Sequence, residues 1–192
     1  QAAEFGGGQI HFLFNNAGLG LAKLFDETTD ADWKFAFDVN FYGALYGIRA
    51  VLPIMRAQGG GHIANTASGI VFAPMAQQSM YTATKSALHG LTGALRYELW
   101  DEGIRFTTVI PGTVATPIWK EAGGAPESAI TPEASAHGIL KGVAANERVV
   151  FVTDDDRSGA INSTNPDPEV VQGFDEYFLN VARKRRSGIA AI

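Results

Sequence analysis

An α/β fold with a doubly wound parallel sheet is what this sequence predicts, and three observations carry the prediction. Short, nearly continuous apolar runs, the mark of strands buried on both faces, recur and close in polar or glycine-containing residues. Between them lie longer stretches with apolar residues at helical spacing, so strands alternate with helices. The length of 192 residues, with 46% apolar and 18% charged residues, suits one substantial core, and a single domain over residues 1–192 is expected.

The elements follow in order. Ile10 to Phe14 forms the first strand and ends in Asn15-Asn16-Ala17-Gly18. Thr29 or Asp30 then caps a long helix from Asp30 to about Gln58, marked by Trp33, Phe37, Phe41, Leu45, Ile48, Leu52 and Met55. Pro53 is expected to kink its last turns. Gly59 to Gly61 break that helix, and His62 to Ala67 forms the second strand, ending at Ser68. A helix from Ser79 to Asp101 is terminated by Gly103. Ile104 to Ile110 is the third strand, closed by Pro111-Gly112. Thr116 to Thr131 reads as an irregular, mobile segment. A helix from Pro132 to Ala145 and a strand from Arg148 to Thr153 complete the pattern. Residues 154–192 read as a polar C-terminal tail, with Asp154 to Asp156 in a solvated loop, a weak helix over Pro168 to Arg186, and Arg183 to Arg186 at its solvated end.

Composition excludes several classes of function. With no cysteine, thiol nucleophiles and cysteine-ligated metal are absent, and a reducing, cytoplasmic setting is expected. A net charge of −5 opposes the basic surface that nucleic acid requires. The longest uncharged apolar stretch, Val39 to Ile48, is about half of a membrane span. His11, His62, His89 and His137 show no metal-ligand spacing, so no metal is expected.

A parallel sheet gathers its chemistry at the carboxyl ends of its strands. Asn16 to Gly18, Ser68 and Pro111 to Thr116 all fall there. On the helix that follows Ser68, Tyr81 and Lys85 stand four residues apart on one face. A free phenol has a pKa of about 10 and is a poor acid–base catalyst at neutral pH. An ammonium about 4 Å away favours the phenolate by about 4 kcal/mol at an effective dielectric of about 20, against about 1 kcal/mol in water. The pair therefore works only in a cleft. Ser68, thirteen positions before Tyr81, can donate to a substrate oxygen beside the phenol. Asn40 is an amide inside an otherwise apolar helix and must find a partner. Tyr-x-x-x-Lys by itself is common in helices, and Ser68 or Asn40 alone would serve as a cap or a satisfied amide.

Taken in order, NNAG at Asn15 to Gly18, Val39-Asn40, Ser68, YxxxK at Tyr81 to Lys85 and PGxVxT at Pro111 to Thr116 resemble the short-chain dehydrogenase/reductase family, from Ile10 to about Val152. The resemblance implies a Rossmann-like domain, NAD or NADP as coenzyme, and interconversion of a secondary alcohol and a ketone. It makes Tyr81 the general acid or base and gives Lys85 two roles, lowering the tyrosine pKa and binding the nicotinamide ribose. Ser68 would polarise the substrate oxygen, and Asn40 would hold a water linking Lys85 to solvent. Asn16, Ala17 and Gly18 would flank the adenosine; Pro111, Gly112, Val114 and Thr116 would line the nicotinamide.

The sequence departs from the family at its front. It opens at Gln1 with no strand, glycine-rich turn and helix to receive a pyrophosphate. The expectation is a chain missing its first βαβ units, including the residue that selects NAD or NADP, and binding dinucleotide poorly by itself. The first strand would then have a bare edge. Ile70, Val71, Phe72, Ile118, Trp119 and Ile130 suggest a largely apolar pocket for a small apolar alcohol or ketone. Surplus apolar surface on the two long helices implies a homodimer or homotetramer. Two competing functions share the fold. One is a catalytically silent cofactor-binding or regulatory protein, in which loss of Tyr81 or Lys85 would be expected. The other is a redox-neutral isomerase or lyase, which would turn over without net change in the coenzyme.

Overall fold

The computed structural model describes residues 1–187, apart from the side chains of residues 120–122. Its centre is a parallel sheet in the order β1-β2-β3-β4, formed by β1 (Phe12–Asn15), β2 (Gly61–Thr66), β3 (Ile104–Ile110) and β4 (Val149–Phe151). Leu13 lies beside Ile63, Ile63 beside Phe106, and Val109 beside Val150. A four-residue helix, α1 (Ala2–Phe5), precedes the sheet.

The predicted long helix is present and runs unbroken from Asp30 to Ala57, with one π-helical turn inside it. α2 (Asp30–Phe37) starts in a capping box, with Thr29 Oγ1 accepting from Asp32 N at 3.2 Å and Asp32 Oδ2 accepting from Thr29 N at 2.8 Å. A π-helical turn, Asp38–Tyr42, follows, and α3 (Gly43–Ala57) carries Pro53 within it. The periodicity of apolar residues runs through all three, so sequence spacing hides the wide turn. π-Turns are rare and concentrate at functional sites, and this one holds Asn40.

α3 and α4 (Ser79–Glu98) cover one face of the sheet, and α5 (Pro132–Ala144) covers the other, which makes the sheet doubly wound. On the first face Ile48, Val51, Met55, Ile63, Leu99, Ile104 and Phe106 form the main core. On the second, Ala64, Val109 and Val143 meet. Arg96 fastens the base of this assembly from α4. Its guanidinium donates to Phe106 O, and to Asn146 Oδ1 and O at 3.0 and 2.8 Å, while lying over the Trp100 ring.

β1 is an edge strand. Because side chains alternate, Leu13 faces α3 whereas Phe12 and Phe14 point to the opposite face, where they are 58% and 42% exposed. The bare edge expected of the first strand is therefore present, with one uncovered side as well.

In the C-terminal segment the helix expected over Pro168 to Arg186 is present, and the expectation of a solvated loop at Asp154 to Asp156 is corrected. α6 (Asp154–Asn162) begins at the supposed solvated loop, because Thr153 Oγ1 caps it by accepting from Asp156 N at 3.4 Å and donates to Asp156 Oδ2 at 2.9 Å. α7 (Pro168–Arg186) is a full helix, and Arg185 near its end donates to Ala76 O at 2.8 Å rather than standing free in solvent. Spread over so many charges, the few apolar anchors Phe174, Phe178 and Val181 gave a weak periodic signal. The rest of the tail expectation, residues 188–192, lies outside the described residues. Among the described residues no helix is long and apolar enough to cross a membrane.

Candidate active site

Tyr81 and Lys85 sit on the first turns of α4, which enters the core beside the carboxyl end of β2. Lys85 is 3% exposed, and its Nζ donates to Thr66 O at 2.8 Å, 5.8 Å from the centre of the Tyr81 ring. Burial pulls its pKa down to about 8. Tyr81 is half-buried, and desolvation of its phenol pushes it above the ordinary value, while the neighbouring Ser68 hydroxyl acts in the opposite direction. The resemblance implies that Lys85 draws the phenol down; burial acts in the opposite direction. Ser68 also caps the short 3-10 turn Gly69–Val71, its Oγ accepting from Ile70 N at 3.4 Å.

Asn40 is 1% exposed and fully engaged. Nδ2 donates to Leu19 O at 3.0 Å and to Thr84 Oγ1 at 3.2 Å, while Oδ1 accepts from Leu19 N at 2.9 Å. The amide thus staples the loop after β1 over Lys85. Gly18 lets the loop lie close here, since a Cβ would lie 3.0 Å from Lys85 Nζ and 3.2 Å from Asn40 Oδ1 and would press both side chains aside. Asn16 Oδ1 accepts from Thr66 Oγ1 at 3.1 Å, and Asn16, Ala17 and Gly18 are exposed along the edge. The neighbouring Asn15 turns inward, donating to Asn65 Oδ1 at 2.7 Å, and Asn65 donates to Thr92 Oγ1 at 2.9 Å. Asn65, Thr92, Thr84 and Thr66 were not singled out in the sequence. The signal for Asn65 was present, because an amide inside an apolar strand must find a partner as surely as Asn40 does in its helix.

The loop from Pro111 is held at each step. Ser135 Oγ donates to Pro111 O at 2.8 Å, and Gly112 takes a φ of +82°, with Thr153 packed where a Cβ would go. Val114 bridges to Ile130, and Trp119 Nε1 donates to Val114 O at 2.8 Å. Thr116 is half-buried at its end. Asn40, Ser68, Tyr81, Lys85 and Gly18 thus form one connected cluster. Pro111, Gly112, Val114 and Thr116 share its sheet edge, and no hydrogen bond among the described residues joins them to Tyr81 or Lys85.

A cavity of about 670 Å³ opens next to this edge, between Thr113, Met75, Asp156 and the aromatic face of α7 at Phe174, Tyr177 and Phe178. Asp156 packs against Gly69, one residue past Ser68. The residues anticipated for an apolar pocket are placed otherwise. Ile70 is buried in the core, Phe72 packs on His89 and Phe151, and Ile118 is 50% exposed.

The model of the family described as short chain dehydrogenase matches residues 1–126. The chain belongs to the short chain dehydrogenase family. An uncharacterized oxidoreductase of Staphylococcus saprophyticus is 43% identical over 111 residues, which cover 58% of this chain and 47% of that protein. Among solved structures, a short chain dehydrogenase/reductase from Burkholderia phymatum in complex with NAD aligns at a TM-score of 0.74 and 26% identity, covering 83% of this chain and 67% of that one. L-sorbose reductase from Gluconobacter frateurii, complexed with NADPH and L-sorbose, aligns at a TM-score of 0.59 and 31% identity, covering 63% and 46%. The chain spans about half the length of the curated relatives it matches. Within the family match fall Asn40, Ser68, Tyr81, Lys85 and the whole loop from Pro111 to Thr116.

Proposed function

We propose that this short chain dehydrogenase serves an NAD(P)-dependent interconversion of a secondary alcohol and a ketone, with Tyr81 as the acid or base. The observation that carries the reading is the phenol of Tyr81 beside Ser68, one helical turn from the buried ammonium of Lys85. A neutral phenol is ready to give its proton to a carbonyl oxygen, and Ser68 stands where it can donate to that same oxygen. Lys85 has three N–H bonds and Thr66 O takes one, which leaves two for ribose hydroxyls beside the small residue Gly18. This fits a nicotinamide nucleotide, whose bound ring supplies or accepts the hydride. Asn16, Ala17 and Gly18 would border its adenosine side, and Pro111, Gly112, Val114 and Thr116 its nicotinamide side. The cavity beside α7 takes the rest of the substrate. Its aromatic wall suits an apolar body, and its carboxylates disfavour an anionic one.

The test is hydride transfer by the full gene product, followed as the absorbance of reduced nicotinamide against ketone consumed. One coenzyme oxidised per ketone reduced is the expected result. Turnover of a substrate with no net change in coenzyme would replace the reading with a redox-neutral one.

The open β1 edge and the uncovered Phe12 and Phe14 are the surface on which the remaining βαβ units of a complete dinucleotide fold would pack. Tyr42 and Tyr46 on the outer side of the π-turn and α3, and Tyr97 on α4, are 40%, 61% and 66% exposed, and suit a homodimer or homotetramer contact. Sedimentation equilibrium at micromolar concentration should return a multiple of the protomer mass; a monomer mass would reject the contact.

A further inference from the structure

We propose that Thr84, a residue between Tyr81 and Lys85 to which no role has been given, is a positioning residue for the reaction. Its hydroxyl ties the Asn40 amide to the backbone carbonyl of Tyr81; its catalytic consequence rests on the alcohol–ketone reading.

Thr84 is 0% exposed in the middle of a helix. A buried threonine there satisfies its hydroxyl by donating back to a carbonyl of the preceding turn, and Thr84 Oγ1 donates to Tyr81 O at 2.9 Å. A hydroxyl has one proton, so towards Asn40 this oxygen can only accept. The partner at 3.2 Å must then be the amide nitrogen, Nδ2. An amide group is nearly symmetric in shape, and packing alone distinguishes its two ends poorly. Leu19 N–H and C=O distinguish them, and the Thr84 hydroxyl adds a third bond of the same sense that ties the amide to α4. With Nδ2 committed to Thr84 and to Leu19 O, Oδ1 is turned to Leu19 N and to the Gly18 side, where the same missing Cβ would touch Lys85 Nζ. Reversal of the amide would set an N–H donor against the Leu19 N–H and bring a donor, in place of an acceptor, to the ammonium side of Gly18.

The same hydroxyl thus bonds the carbonyl of the residue that bears the phenol and orders the amide that pins the loop over its lysine. A merely structural threonine would affect stability and nothing else. The two cases separate with Thr84→Val, which keeps the shape and loses the hydroxyl, and Thr84→Ser, which keeps the hydroxyl. In the full gene product Thr84→Val is expected to lower kcat by about tenfold with KM for the ketone within about twofold, and to shift the pH profile of kcat, because placement of the acid–base pair is altered rather than substrate binding. Thr84→Ser should return both to within about twofold of the parent.

A second readout does not depend on turnover. In the ¹⁵N-labelled chain the two Asn40 Nδ2 protons should exchange slowly with solvent; Thr84→Val should speed exchange by about tenfold or more, and Thr84→Ser should restore it. A Thr84→Val protein with lowered stability but unchanged kcat and pH profile overturns the proposal, and so does a serine variant as slow as the valine one. If the parent protein reduces no ketone, the alcohol–ketone reading falls by itself, and the amide protons decide this one. Unaltered exchange in Thr84→Val overturns it, and altered exchange restored by serine upholds the ordering of Asn40.

Discussion

Tyr81→Phe in the full gene product is expected to lower turnover by at least about a hundredfold while the fold is unchanged. The substitution deletes one oxygen. The ring remains beside Lys85, with Nζ 5.8 Å from its centre and still bonded to Thr66 O. Ser68 keeps Ile70 N as a donor to its Oγ, so the structural loss is no more than one modest polar contact, on the order of 1 kcal/mol. Proton transfer has no such substitute, because no other side chain of the cluster combines a transferable proton with a place beside Ser68. Stopped-flow hydride transfer and circular dichroism check the two halves separately. Turnover within a few-fold of the parent would remove Tyr81 from its assigned role.

Residue types and their order revealed most of this cluster because the chemistry is concentrated in side chains that are costly to bury without a purpose. Asn40 stood out as an amide in an apolar helix, and Tyr81 with Lys85 as a phenol and ammonium on one face. The four strands and the helices on both faces followed from apolar runs alternating with amphipathic ones. What sequence spacing hid has physical reasons. The π-turn at Asp38–Tyr42 leaves the apolar pattern intact, so spacing shows the long helix and not the turn inside it. α6 and α7 carry their packing on a few aromatic residues among many charges, so the wall they give to the cavity read as a tail. The direction of the Tyr81 shift depends on how deeply α4 is buried, which composition does not reveal. Thr84 looked like an ordinary spacer within YxxxK until its two partners were located.

Lys85→Met should abolish turnover and yet stabilise the protein at pH 7. In the fold the lysine titrates at about 8, against 10.5 when unburied. Below pH 8 the side chain is charged in both the folded and unfolded states, and the fold carries the whole cost of burying the charge. Between about 8 and 10.5 the folded protein has released a proton that the unfolded chain still holds, so stability rises with pH and the cost is relieved above that range. The full difference corresponds to about 3 kcal/mol. The bond from Nζ to Thr66 O returns about 1 kcal/mol of it in the parent, which leaves a net gain of about 2 kcal/mol for an unbranched apolar chain of similar length. For a protein of this size that is a rise in Tm of roughly 4–8 °C at pH 7. The advantage should shrink through pH 8–10.5 and vanish above it, a pattern that simple repacking would not produce. Turnover should fall by at least about a hundredfold below pH 8, where the parent carries the cation beside the phenol. Calorimetry of the two proteins across this range is the check. A methionine variant less stable than the parent at pH 7 would mean that Lys85 is held by more than the Thr66 carbonyl, and that the buried ammonium is not the strained element of this site.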